Sequence, residues 1–144
     1  MYLVDTNVLS AGAPGRAERS AELVEWMDAH SDVLFLSAVT VAEIFDGIAK
    51  LKRTGSASRA AILGDWLELV LHLYGERVLP FDVSAAHLAG ELTDKARVAG
   101  HSPGFADVAI AATAGSHGMT ILTRNLRHFT PLGIPAIDPF ETLP

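Results

Sequence analysis

No cysteine occurs anywhere in this sequence. Disulfides and thiolate metal sites are thereby excluded, and the composition suits a reducing compartment. Long hydrophobic runs are also missing. Nothing approaches the ~20 consecutive apolar residues that a membrane-crossing helix needs. The opening residues, MYLVDTNVLS, lack the basic start and extended apolar stretch of a secretory signal. The expectation is a soluble, cytoplasmic protein with no membrane partner. Positive charge is scarce as well: 11 Lys and Arg stand against 17 Asp and Glu, a net charge of −6. Taken alone, that argues against a nucleic-acid partner, because phosphate binding usually leaves a basic footprint. No glycine-rich turn follows the first apolar run, which removes a dinucleotide-binding reading. No G-x-S-x-G elbow announces a serine hydrolase. Tandem repeats and low-complexity tracts are absent.

What remains is one domain's worth of chain, residues 1–144, with 49% hydrophobic residues and enough length to bury a core without staples. Apolar runs predict strands over Tyr2–Asp5, Val33–Leu36, Val78–Pro80 and Met119–Thr123, and a last one over Pro135–Ile137. Helical periodicity covers Ala17–His30, with Leu23, Trp26 and Met27 on one side and Glu18, Glu22 and Glu25 on the other. Further helices are expected over Val39–Arg53, Ser58–Tyr74, Ser84–Ala99 and Phe105–His117, with Gly75, Gly100 and Gly118 closing the last three. Alternating strands and helices with short connections imply an α/β fold, a central parallel sheet covered by helices on both faces. Ligands of such sheets bind beyond the carboxyl ends of the strands. Polar residues just after a strand are therefore the ones to weigh.

Three acids need explaining. Asp5 directly follows the first strand; its structural alternative is to cap a short helix starting near Asn7. Asp107 opens a helix whose other members are small or apolar, FADVAIAATA, so it is expected near the interior, where an unpaired carboxylate is expensive. Its alternative is a first-turn acid balancing the helix dipole. Glu43 lies in VTVAEIFDG, with Gly47 one turn later leaving room for a backbone or a ligand; alone, it reads as a surface acid. Asp46 is expected to face solvent. Asn125 follows the Met119–Thr123 strand and offers an oxygen without charge, or serves simply as a turn residue.

Carboxylates crowded together repel and raise one another's pKa values. A hard, oxygen-seeking cation removes that penalty, and Mg2+ is the natural occupant, with Mn2+ able to substitute. Such a centre serves phosphodiester cleavage by activating a water. It also lets an acidic protein meet RNA. Basic residues placed to help are Lys50, Lys52, Arg53 and Arg59 near the end of the Glu43 helix, and Arg124 and Arg127 after the later strand. Each is equally read as a solvated side chain or a helix-end charge.

The blocks Asp5-Thr6-Asn7, Ser37–Glu43 (SAVTVAE), Phe105–Ala112 (FADVAIAA) and Leu122–Asn125 (LTRN), the last followed by Arg127-His128-Phe129, come in one order across nearly the whole chain. In this the sequence resembles PIN-domain proteins, specifically the VapC-type toxins of bacterial toxin–antitoxin pairs. The resemblance implies a PIN-like three-layer fold and a metal-dependent endoribonuclease acting on structured RNA such as tRNA or rRNA. It further implies a homodimer and a small VapB-like antitoxin whose tail covers the site. By position, Asp5, Glu43 and Asp107 match the family's signature acids and Asn125 its fourth polar position, with Thr6, Asn7 and Thr123 in support. Many members carry Asp at or shortly after the fourth position. Here Asn125, Leu126, Arg127 and His128 supply no carboxylate, which bears on a second metal rather than the first. His128 is read as a phosphate contact or, beside Phe129, as structural. The alternative function is a PIN-like scaffold that binds RNA or a partner without cutting. A phosphatase using Asp5 as nucleophile would want a second acid two residues on, where this chain has Asn7.

Overall fold

The computed structural model describes residues 1–15 and 20–144. Short apolar runs become five strands: β1 (Tyr2–Val4), β2 (Leu34–Ser37), β3 (Val78–Leu79), β4 (Thr120–Leu122) and β5 (Ala136–Ile137). All pairings are parallel, in the order β3-β2-β1-β4-β5. The strands are apolar on both faces because helices cover both, as a parallel sheet requires. Side chains alternate across the sheet. Leu3 and Ile121 therefore join one core, with Val108, Ile110, Ala111, Ala112 and Phe129, while Val4, Leu34, Leu36 and Leu122 join another, with Ile44, Ile48 and Leu67.

Eight-residue or longer helices are α2 (Ala21–Ala29), α3 (Ala38–Arg53), α4 (Ala57–Tyr74), α5 (Val83–Val98) and α6 (Phe105–Ser116); α1 (Thr6–Ala11) and α7 (Leu126–Phe129) are shorter. Ser37 caps α3, its hydroxyl accepting from the Val39 N–H at 3.1 Å, and Lys50, Lys52 and Arg53 in its last turn oppose the dipole. Helix α6 is buried from Val108 through Ala114. Its small side chains permit close packing on α5: a Cβ on Gly115 would lie 2.8 Å from the Leu88 Cδ2.

The sequence-based elements hold, with shifted ends. The first strand stops at Val4 rather than Asp5, because Asp5 caps α1. The second includes Ser37, and the fourth is confined to Thr120–Leu122. The first long helix is seen from Ala21 to Ala29; residues 17–19, Glu18 among them, lie outside the described residues. Helix α7, where a turn was expected, is an addition.

The register decides where the site is. Val4 is paired with Leu36 on one side and Leu122 on the other, so three strands end level. The chain runs from β1 outward through β2 to β3, then returns to β4 and β5 on the opposite side. The carboxyl end of β1 is thus the topological switch point, where α/β sheets open a crevice.

Candidate active site

Asp5 sits at that point, only 5% exposed. Its Oδ1 accepts from the Thr6 N–H at 2.8 Å. Its Oδ2 accepts from the Thr123 hydroxyl and the Asn7 amide, both at 2.7 Å. Asn7 in turn accepts from the Arg124 N–H at 3.0 Å, and Thr123 from the Asn125 N–H at 3.0 Å. The DTN segment after β1 and the TRN segment after β4 are therefore stitched together around one carboxylate. Thr6, Asn7 and Thr123 thus each donate a hydrogen bond to the Asp5 carboxylate. Burial pushes the Asp5 carboxyl above its ordinary value of 3.8, against the lowering effect of its hydrogen bonds; Glu43 and Asp107 push it further up.

Glu43 projects from α3 and is exposed, with its Oε2 accepting from the Thr6 hydroxyl. Asp107 is not in the interior, as its apolar helix suggested. It stands at the first turn of α6, where the helix emerges from the core, with 28% of its side chain exposed. Its Oδ2 lies 3.1 Å from the His128 Nδ1, the separation of an imidazole N–H donating to a carboxylate. His128 is the group that the sequence underrated. It stands on the short α7, 21 positions from Asp107, with no periodicity to announce the contact.

Two clefts flank the acids. One, of about 320 Å3, is lined by Thr6, Glu43, Gly47, Arg59 and Trp66. A Cβ on Gly47 would meet nothing within 4 Å, so the room expected there is open space. The other, of about 250 Å3, lies against Asp107 and His128. Asn125 is exposed beyond Thr123; its backbone joins the network and its side chain does not. Arg124 stacks 4.7 Å over the Phe140 ring. Lys50, Lys52 and Arg53 line neither cleft: they are seven to ten positions past Glu43, roughly 10–15 Å along the helix. Asp46 faces solvent, as expected.

The donor set fits a hard divalent cation in kind. It consists of carboxylate oxygens within electrostatic reach of one another. The oxygens are not drawn into a ready cage. Among the described residues no group of three Asp, Glu or His side chains is close enough to hold an ion as placed. Glu43 and Asp107 turn instead to Thr6 and His128. Mg2+ is commonly held by one or two carboxylates plus waters, so a full cage of protein oxygens is not required for it.

A PIN domain model matches residues 2–130. The chain is 38% identical over 143 residues to the VapC ribonuclease Y4jK of Sinorhizobium fredii, covering 98% of this chain and 99% of that one. It is 34% identical over 143 residues to the toxin FitB of Neisseria gonorrhoeae, again covering 98% and 99% of the two chains. The crystal structure of FitAcB from Neisseria gonorrhoeae superposes with a TM-score of 0.85 at 34% identity, over 97% of this chain and 99% of that one.

Proposed function

Because this chain belongs to the PIN-domain family, with full-length relatives named as a ribonuclease and as a toxin, we propose that it is a metal-dependent endoribonuclease acting as the toxin of a toxin–antitoxin pair. The observation that carries the reading is Asp5: a buried carboxylate at the sheet's switch point, pushed upward in pKa and further raised by two other acids. A purely structural cap has no use for that cost. The substrate class is structured RNA such as tRNA or rRNA. The partner is a small antitoxin, and structural neighbours of the fold are toxin–antitoxin complexes, among them VapBC-5 of Mycobacterium tuberculosis, a member of the VapBC family of toxin–antitoxin systems.

Asp5, Asp107 and Glu43 would hold the ion, Mg2+ with Mn2+ as substitute. When bound, it lowers the pKa of a water and supplies the nucleophile for phosphodiester hydrolysis. The chain's own contribution is positioning. Thr6, Asn7 and Thr123 fix the Asp5 rotamer, so the carboxylate reaches the crevice in one orientation. Thr6 bonds Glu43 through its hydroxyl, tying α3 to the same point. His128 orients Asp107.

Asp107→Asn is the direct test. The substitution removes a charge and keeps an oxygen for His128. Cleavage of RNA in Mg2+ is expected to fall by orders of magnitude, while the melting temperature in chelator stays level or rises as repulsion with Asp5 is relieved. Asp94→Asn, at an exposed position of α5, is the control. A folded Asp107→Asn protein that cleaves at the wild-type rate overturns the mechanism. Wild-type protein that binds RNA in Mg2+ but never cuts it points instead to the non-catalytic scaffold.

A further inference from the structure

The cleft beside Asp107 is built differently from the rest of this acidic molecule. Its wall comes from the α5–α6 loop, with His101, Ser102 and Gly104, and from α7, with Arg127 and His128. Arg127 and His101 are exposed, and neither side chain makes a hydrogen bond or ion pair with another described residue. His128 commits Nδ1 to Asp107 and leaves Nε2 without a described partner. A guanidinium, two imidazoles and a hydroxyl thus converge on one concavity in a chain of net charge −6. The lining carboxylate, Asp107, faces His128, and Arg127 brings to the cleft a permanent positive charge with no described carboxylate partner, an arrangement that suits an anion. At about 250 Å3 the cleft is smaller than the ~300 Å3 at which pockets begin to take drug-sized ligands. It suits a single tetrahedral anion, and the arginine fork matches phosphate oxygens.

The cleft adjoins the acids rather than containing them. Asp107 forms its shared wall, while Asp5 and Glu43 lie outside it. The shared wall puts the cleft beside any strand that reaches Asp107. We infer that this cleft is a phosphate subsite for the substrate strand, with Arg127 its principal contact and His101 and His128 beside it. The inference rests on the ribonuclease reading for the identity of the ligand, not for the existence of the anion site.

The test separates the two. Intact protein in chelator is titrated with inorganic phosphate, following the ring signals of all six histidines by NMR. His101 and His128 are expected to shift saturably, while His30, His72, His87 and His117 stay still. Arg127→Gln should weaken phosphate about tenfold, the loss of one charge-assisted contact. Lys52→Gln should leave the titration unchanged. In RNA cleavage, Arg127→Gln should raise KM with kcat within about twofold, the mark of binding shared by ground and transition states. Asp107→Asn should abolish cleavage yet bind phosphate as well or better, since it removes a negative charge from the wall. Phosphate that moves no ring, or all six alike, overturns the subsite, as does an Arg127→Gln titration identical to wild type. If no variant cuts RNA, the ribonuclease reading fails while the phosphate titration still decides the cleft.

Discussion

Asp5 is held where a carboxylate costs most, and that cost has a pH signature. Its folded pKa is raised above the ordinary 3.8, chiefly by burial. Below 3.8 both folded and unfolded chains carry the proton. Between 3.8 and the raised value, the folded chain keeps a proton that the unfolded chain has lost, so stability falls as pH rises. Above the folded value the loss is complete and constant. Metal-free wild type should therefore lose stability relative to Asp5→Asn as pH climbs from about 4, and millimolar Mg2+ should restore it at neutral pH. Thermal melts of both proteins across that range, with chelator and with Mg2+, read the effect; a difference that is flat with pH removes it. The three acids were legible because each interrupts an apolar element or ends one, and side chains of that kind need a reason to be there. Arg127 and His128 were legible only as candidate phosphate contacts among other readings, and His101 was not legible at all. Their meaning depends on a cleft formed by a loop and a four-residue helix, and neither carries a sequence period.

Element length sets what a sequence can disclose about local structure. The long helices α3 to α6 were found because 12 to 18 residues repeat the apolar spacing several times. Helices α1 and α7, with 6 and 4 residues, complete too few turns to show a period. Strands of two to four residues betray themselves only as apolar runs, which is why their ends moved by one position. Helix α3 holds one feature that no pattern shows. Thr40 in its first turn is fully buried, and its hydroxyl has no partner among the described residues. Val has nearly the same shape and helix propensity without the orphaned oxygen. Thr40→Val should stabilise the protein by about 1 kcal/mol, the desolvation penalty of an unmade bond. That corresponds to a rise of roughly 2–4 °C in Tm for a domain of this size. A lower Tm would mean that the hydroxyl is bonded after all, to an internal water.

At the scale of the whole molecule, α4 has two apolar faces and the fold uses one. Leu67 and Val70 are buried in the core shared with α3, while Ile62, Leu69 and Leu73 are 53%, 56% and 63% exposed. The exposed residues recur at i, i+7 and i+11, so they form one stripe. Leu69 and Leu73, with Trp66 and Met27, also border an open cleft of about 540 Å3 between α2 and α4. A contiguous apolar stripe of this kind asks to be covered. A second copy can cover it with the same stripe, as a two-fold contact requires. The expected outcome is a wild-type dimer by sedimentation at micromolar concentration, and a monomer of unchanged Tm for the double variant Leu69→Glu, Leu73→Glu. Both residues are exposed, so the substitution leaves the core alone. Salt gives an independent reading. Two copies of charge −6 repel, and screening weakens that repulsion, so added salt should tighten the dimer. Contacts with RNA phosphates must weaken under the same change. A wild-type chain that stays monomeric at millimolar concentration, or a dimer that the double substitution leaves intact, removes α4 as the contact.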